Sequence, residues 1–196
     1  MDLRESPDAE AVETGPNVLL TEEWLDSRAA GDCAGLVEAG RADRTRALLV
    51  TVTRSPLDRV LTVGRHIERE PVETVVVNVD PEDRSSDVEF DAMAVTSVER
   101  VNGPGDLTTL GVGVTDRLDA WADSDHGVAL CFHSVTPLLQ YNTLDEMFHF
   151  LRILTDRVED TGAVAHYHLD PSAHDEQTVN RLVPLFDDVH DTTDDA

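Results

Sequence analysis

The sequence contains no lysine, and all fifteen of its basic residues are arginine. Forty aspartate and glutamate residues oppose them, so the formal net charge is -25 at pH 7. No basic patch or stripe is found, so we expect no nucleic-acid partner. Self-repulsion of this size destabilises a compact chain in dilute buffer and is screened at high ionic strength. We therefore interpret the composition as typical of a protein from the cytosol of a salt-accumulating halophile.

Long apolar runs and cysteines are also scarce. No run of eighteen apolar residues occurs, which predicts that the chain has no membrane span. The N-terminal segment is acidic and lacks the basic and apolar blocks of a signal peptide, so the predicted location is cytoplasmic. The two cysteines are Cys33 on a predicted helix and Cys131 in a predicted strand, and we expect both to be reduced thiols.

Hydrophobic residues nevertheless make up 40% of the chain, which is enough for a core. A chain of 196 residues is expected to form one domain. The acidic segments 1–15 and 191–196 are predicted to be disordered tails around a single domain that covers residues 16–190.

Short apolar runs alternate with helical patterns between the two tails. The predicted strands cover residues 17–21, 46–53, 73–79, 92–101, 127–133 and 163–169. The predicted helices cover residues 22–39, 56–67, 107–121, 143–159 and 175–186. Strands that are apolar throughout suit a parallel sheet covered on both faces, and their alternation with helices predicts a doubly wound α/β fold. Ligands of such sheets bind beyond the carboxyl ends of the strands, so we expect any chemistry there.

Polar residues follow the first two predicted strands. The first strand ends in Thr21, Glu22 and Glu23. Two carboxylates in the first turn of a helix are ordinary, because the helix dipole stabilises negative charge there. The second strand ends in Thr53 and Arg54. Arg54 could contact an anion or a partner, or could simply connect the strand to the next helix.

Histidines mark the ends of the fifth and sixth predicted strands. The fifth ends in His133 and Ser134, and the sixth contains His166 and His168 before Asp170. A side-chain period of two places the last three residues on one face. Two histidines and a carboxylate could bind zinc or iron, although a chain with eight histidines contains such a pattern by chance. A hydrogen-bonded, structural His133 and no bound metal are the simpler interpretation.

Four runs of the sequence, NVLL, RALLVTVTRSP, VALCFHSVTPLLQY and AVAHYHLDPSAHDEQTVNRL, resemble haloarchaeal RecA/KaiC-like proteins. The resemblance covers residues 16–190 and is strongest to a shortened branch of that superfamily, sometimes labelled transducer-like. It implies a RecA-like, P-loop NTPase-type fold, in which a mostly parallel sheet has helices on both faces.

The same resemblance implies where an ATPase site would lie. A Walker A loop should follow Leu20, but segment 21–25 has neither its glycines nor its lysine. Thr53, with Arg54 beside it, stands in the place of the catalytic glutamate, and His133 stands in the place of the Walker B aspartate. These three departures predict the loss of ATP hydrolysis, and no alternative alignment could supply a lysine.

The resulting hypothesis is a non-catalytic pseudo-ATPase that acts as a protein-interaction or regulatory module. We expect a protein partner or self-association, no cofactor and no nucleotide. One alternative is a nucleotide-binding protein without hydrolysis, which two acids after the first strand would disfavour. The other is a metal-dependent enzyme that uses His166, His168 and Asp170. The degenerate nucleotide-site positions are Thr21, Glu22, Glu23, Thr53, Arg54, His133 and Ser134.

Overall fold

A computed structural model describes residues 15–22, 28–39, 44–80 and 93–191. The strands in these ranges are β1 (Asn17–Thr21), β2 (Thr45–Val52), β3 (Glu73–Val79), β4 (Val95–Arg100), β5 (Gly127–His133), β6 (Val164–Leu169) and β7 (Asp188–Asp191). All seven form one sheet in the order β4-β3-β2-β5-β6-β1-β7. Every pair of neighbouring strands is parallel, so the carboxyl ends of all the strands lie along one edge.

The described helices are α1 (Arg28–Ala39), α2 (Pro56–Gly64), α3 (Leu107–Ala122), α4 (Val135–Leu139), α5 (Leu144–Thr161) and α6 (Glu176–Leu182). Helices α1 and α2 pack on one face of the sheet, and α3 and α5 pack on the other. The result is a single α/β domain with helices on both faces, as the strand and helix pattern predicts. None of the helices in the described ranges has the length and apolar character that a membrane crossing requires.

Alternate residues of the central strands fill the two faces of the sheet. Val50 and Phe132 belong to the larger core beneath α3 and α5, whereas Leu49 and Cys131 belong to a second core beneath α1 and α2. Because both faces are covered, β2 and β5 are apolar on both sides and lack the alternation of a half-exposed strand.

A capping box begins α5. Thr143 Oγ1 accepts a hydrogen bond from the Glu146 backbone N–H at 3.3 Å, and the Glu146 carboxylate accepts one from the Thr143 backbone N–H at 2.8 Å. These bonds satisfy backbone donors that have no partner within the helix. Gly162, with φ of 69°, ends the helix in the left-handed region that favours glycine. Local sequence therefore sets both ends of α5.

We expect Thr143→Ala to lower the free energy of unfolding by about 1 kcal/mol, the usual cost of losing a helix N-cap. Urea denaturation in molar KCl measures the change. Thr108→Ala is the matched control, because Thr108 is exposed in the first turn of α3 and is not its cap. An equal loss in both variants would contradict the capping explanation.

Strand β7 is absent from the sequence prediction. It pairs with β1 at the edge of the sheet, and its last residue, Asp191, falls in the segment predicted to be a disordered tail. Its sequence, DVHD, has neither the apolar run nor the alternation by which a strand is recognised. Of the other tail residues, 1–14 and 192–196 lie outside the described ranges.

Three predicted helices differ from the observed ones by more than two residues at an end. One of them is α2, which was predicted to end at residue 67 and ends at Gly64. Glu22 lies outside α1, which begins at Arg28 in the described ranges. The last predicted helix, 175–186, is α6 followed by a short 3-10 turn over Val183–Leu185. Pro184 causes this change, because its ring and missing N–H are incompatible with a continuing α-helix.

Candidate functional site

Three of the predicted site residues meet at the carboxyl edge of the sheet, on the face covered by α1 and α2. Glu22 follows β1, His133 ends β5, and His168 lies near the end of β6. The three side chains are buried, and their ligand atoms lie within 4.8 Å of one another. They meet because β1, β6 and β5 are adjacent and parallel.

The Glu22 carboxylate connects the two histidines. His168 Nδ1 lies 3.0 Å from Glu22 Oε1, and His133 Nε2 lies 3.6 Å from the same oxygen. An ionised carboxylate only accepts hydrogen bonds, so the neutral His168 ring donates from Nδ1 and carries its lone pair on Nε2. The Glu22 backbone N–H donates to the Leu169 carbonyl oxygen at 3.0 Å, which holds Glu22 against the end of β6.

Two cysteines and an arginine complete the cluster. Cys33 from α1 and Cys131 from β5 form a disulfide, so the expectation of reduced thiols is wrong for this structure. His168 Nε2 lies 3.1 Å from Cys33 Sγ and 3.7 Å from Cys131 Sγ. Arg59 on α2 donates from Nη2 to the same two sulfurs at 2.9 and 3.0 Å. We call Glu22, Cys33, Arg59, Cys131, His133 and His168 the edge cluster.

Burial sets the charge of the histidines and the arginine. Desolvation lowers the pKa of His133 to about 3, and it lowers the pKa of His168 well below its ordinary value. Both imidazoles are therefore neutral at neutral pH. Desolvation also lowers the pKa of Arg59 to about 10, against the opposing effect of Glu22. Arg59 stays positive, and the carboxylate of Glu22 is its counter-charge.

Thr21 and Ser134 have structural hydrogen bonds. Thr21 Oγ1 donates to the His190 carbonyl oxygen at 3.4 Å, toward β7. Ser134 Oγ donates to the His168 carbonyl oxygen at 3.0 Å and accepts from the Thr136 backbone N–H at 3.2 Å, so it caps α4. Both side chains therefore connect neighbouring elements of the edge.

Thr53 and Asp170 border a separate cavity of about 320 Å³ at the same edge. Thr53 is exposed and Arg54 is half-buried. Asp170 is buried, and its Oδ1 accepts from the Ser172 backbone N–H at 2.9 Å. The described residues that line this cavity include no arginine; they are Thr53, Thr136, Pro137, Gln140, Tyr141, Asp170 and Ala173.

The structure groups the possible metal ligands differently from the sequence prediction. In the described ranges, three ligand atoms approach one another closely in two sets: Cys33 with Cys131 and His168, and Glu22 with His133 and His168. His166 and Asp170 belong to neither set. His166 is half-buried, and its pKa is lowered to about 4 by desolvation and by the neighbouring His190. Glu23, another predicted position, lies outside the described ranges.

Sequence reasoning missed Cys33, Cys131 and Arg59 as site residues. Cys131 precedes His133 by two positions in β5, and the period of a strand places both on one face. That signal was available. Cys33 and Arg59 lie on helices. The spacing of residues within a helix does not show which strands that helix will pack against.

The fold and the site define a single-domain α/β protein with a buried carboxylate, imidazole and disulfide cluster at the carboxyl edge of a parallel sheet. A family model matches residues 15–191, and the chain belongs to this family, DUF7504, a family of unknown function. No curated protein matches the chain.

A solved structure of a protein from Pyrococcus horikoshii OT3 is similar, with a TM-score of 0.56 and 12% sequence identity. The similarity covers 92% of this chain and 83% of the other. At this level of identity, the likeness supports the α/β fold alone.

Proposed function

We propose that the protein is a RecA/KaiC-like pseudo-ATPase, a non-catalytic module that acts through a protein partner or self-association. The main support is the position of Glu22, directly after β1, where the resemblance assigns a phosphate-binding loop. Its side chain is buried, and its carboxylate is bonded to His168. A nucleotide phosphate at this position would meet a fixed negative charge.

Arg59 balances the charge of Glu22 but leaves no positive charge over for a phosphate. P-loops bind phosphate with backbone amides and a lysine, and this chain has no lysine. The Arg59 guanidinium lies inside the edge cluster, where its Nη2 donates to two sulfurs. The nearby positive charge of Arg54 lowers the pKa of Arg59 further, so these two cations repel each other.

The proposed Walker B position is equally unsuited to magnesium. His133 stands there as a neutral imidazole, and Mg²⁺ prefers oxygen ligands. Ser134 is engaged as the cap of α4. Thr53, in the place of the catalytic glutamate, has a hydroxyl group that cannot act as a general base near neutral pH. These three positions support the absence of hydrolysis.

Exposed apolar side chains support an interaction role. Val112 and Ile153 are 54% and 64% exposed, and both line a groove of about 550 Å³ between α3 and α5. Gly111 and Phe150 form part of the same groove. Apolar residues around a groove are typical of surfaces that another protein covers.

Calorimetry with ATP and Mg²⁺ in molar KCl tests the nucleotide half of the proposal. We expect no heat of binding, because the Glu22 carboxylate repels the phosphates of ATP. We also expect phosphate to be released from ATP no faster than in buffer without the protein. A P-loop ATPase that is active in the same salt serves as the positive control. Micromolar binding of ATP by the wild-type protein would overturn the proposal in favour of nucleotide binding without hydrolysis.

Affinity isolation from a high-salt lysate tests the interaction half. We expect a stoichiometric protein partner, or a self-associated species in light scattering. A monomer that co-purifies with nothing would contradict this part of the proposal.

A further inference from the structure

The edge cluster directs a nitrogen lone pair at two sulfur atoms. Glu22 accepts the Nδ1 proton of His168, so the Nε2 lone pair faces Cys33 Sγ at 3.1 Å and Cys131 Sγ at 3.7 Å. A disulfide has no proton to donate, so Nε2 gains no hydrogen bond from these sulfurs. Two cysteine sulfurs and one imidazole nitrogen that converge in this way are a recognised donor set for zinc.

We propose that Cys33, Cys131 and His168 bind a divalent transition metal, Zn²⁺ in the first instance, when the disulfide is reduced. A dithiol reductant supplies two electrons and two protons; the disulfide becomes two thiols, and the reductant becomes a disulfide. The metal ion then displaces the two thiol protons, which pass to solvent. The disulfide and the metal-bound form are alternative states of the same cluster, and neither depends on the proposed lack of ATPase activity.

The distances suit a tetrahedral ion. Bonds of about 2.3 Å to sulfur and about 2.0 Å to nitrogen place sulfur and nitrogen about 3.5 Å apart around tetrahedral zinc. The distances from His168 Nε2 to the two sulfurs, 3.1 and 3.7 Å, bracket this value. Reduction breaks the bond between the two sulfurs. Each sulfur can then move to a separate vertex of the metal's coordination tetrahedron.

The charges of the edge cluster also suit a divalent ion. Two thiolates would neutralise the metal, and the Glu22 carboxylate and the Arg59 guanidinium would neutralise each other. A buried site with no net charge avoids the large desolvation cost of an unpaired ion. Arg59 already donates to both sulfurs at 2.9 and 3.0 Å, and this contact stabilises thiolates.

Glu22 has the position of an outer carboxylate of a zinc site. Zinc-binding histidines commonly donate their other ring N–H to a carboxylate, which orients the ring and makes it a stronger ligand. The Glu22–His168 bond of 3.0 Å has this arrangement.

Metal titration of tag-free protein tests the proposal. The protein is reduced with dithiothreitol, freed of the reductant by anaerobic gel filtration, and titrated with Co²⁺ and then Zn²⁺ in molar KCl. We expect one metal ion per chain, tetrahedral cobalt absorption bands with cobalt–thiolate charge transfer, and displacement of cobalt by zinc. Protein with an intact disulfide should bind neither ion stoichiometrically.

Variants separate the proposed ligands from their surroundings. Cys33→Ser or Cys131→Ser alone should weaken the thiolate band, and the double variant should abolish it. Glu22→Gln should weaken zinc binding by about 10–100-fold without changing the stoichiometry. His66→Gln is the matched control, because His66 is exposed. X-ray absorption at the zinc edge of the wild-type protein provides a readout that needs no variant. Substoichiometric binding by the reduced protein, or bound zinc without two sulfur ligands, would overturn the proposal.

Discussion

Dialysis from molar KCl into about 50 mM salt is expected to unfold the protein, because charge repulsion is then poorly screened. Acidic residues outnumber basic ones by forty to fifteen. The Debye length is about 3 Å at 1 M salt and about 10 Å at 0.1 M, so neighbouring surface carboxylates repel each other strongly only in the dilute buffer. A net charge this far from zero destabilises the compact state.

Far-UV circular dichroism during a salt titration measures this transition. A variant with Asp123→Asn, Glu159→Gln and Asp160→Asn removes three exposed carboxylates from the ends of α3 and α5. It should unfold at lower salt than the wild-type protein. Replacement of KCl by sucrose is a further control, since sucrose does not screen charge. Full helical signal in dilute buffer would contradict the halophilic interpretation.

Arg59→Met is expected to lower the free energy of unfolding by about 3–5 kcal/mol, because it leaves the buried Glu22 carboxylate without its cation. Arg59 is 7% exposed and Glu22 is 4% exposed, so water cannot replace the lost partner. The substitution also removes the hydrogen bonds that Nη2 donates to the two sulfurs. Urea denaturation of the oxidised, metal-free protein in molar KCl measures the loss.

A double-mutant cycle with Glu22→Gln separates charge pairing from packing. The double variant should be less destabilised than the sum of the two single variants, with a coupling of about 0.5–3 kcal/mol. Arg65→Met is the matched control, because Arg65 follows the same helix, α2, and is exposed. We expect it to change stability by less than about 0.5 kcal/mol. Additive effects of Arg59→Met and Glu22→Gln would contradict the charge pairing.

Most strands were predictable because each is a short apolar run with polar or turn residues on both sides. The observed bounds of β1, β3 and β5 coincide with the predicted ones. Strand β7 was not predictable, because a polar edge strand is defined by its pairing with β1 and not by its own pattern. The capping box of α5 is a local signal, and the predicted helix begins within one residue of the observed one.

The candidate site was predictable in part. Parallel strands bring their carboxyl ends to one edge, so Glu22, His133 and His168 could be expected near one another. Their individual contacts could not be predicted. His166 and His168 have the same period and face, but His168 alone of the two joins the edge cluster. His168 lies two residues closer than His166 to the carboxyl end of β6. Which residues of β1 and β5 lie beside each histidine depends on the register of these strands.

The sequence by itself determined the alternation of strands and helices, the acidic charge and the lack of a lysine at any possible phosphate loop. These are properties of composition and short-range pattern. Tertiary structure alone decided that Cys33 meets Cys131, 98 residues away, and that Arg59 contacts both sulfurs. The physical reason is that α1 and α2 are placed by packing over the sheet, so the partners of their polar residues depend on contacts that no local spacing encodes.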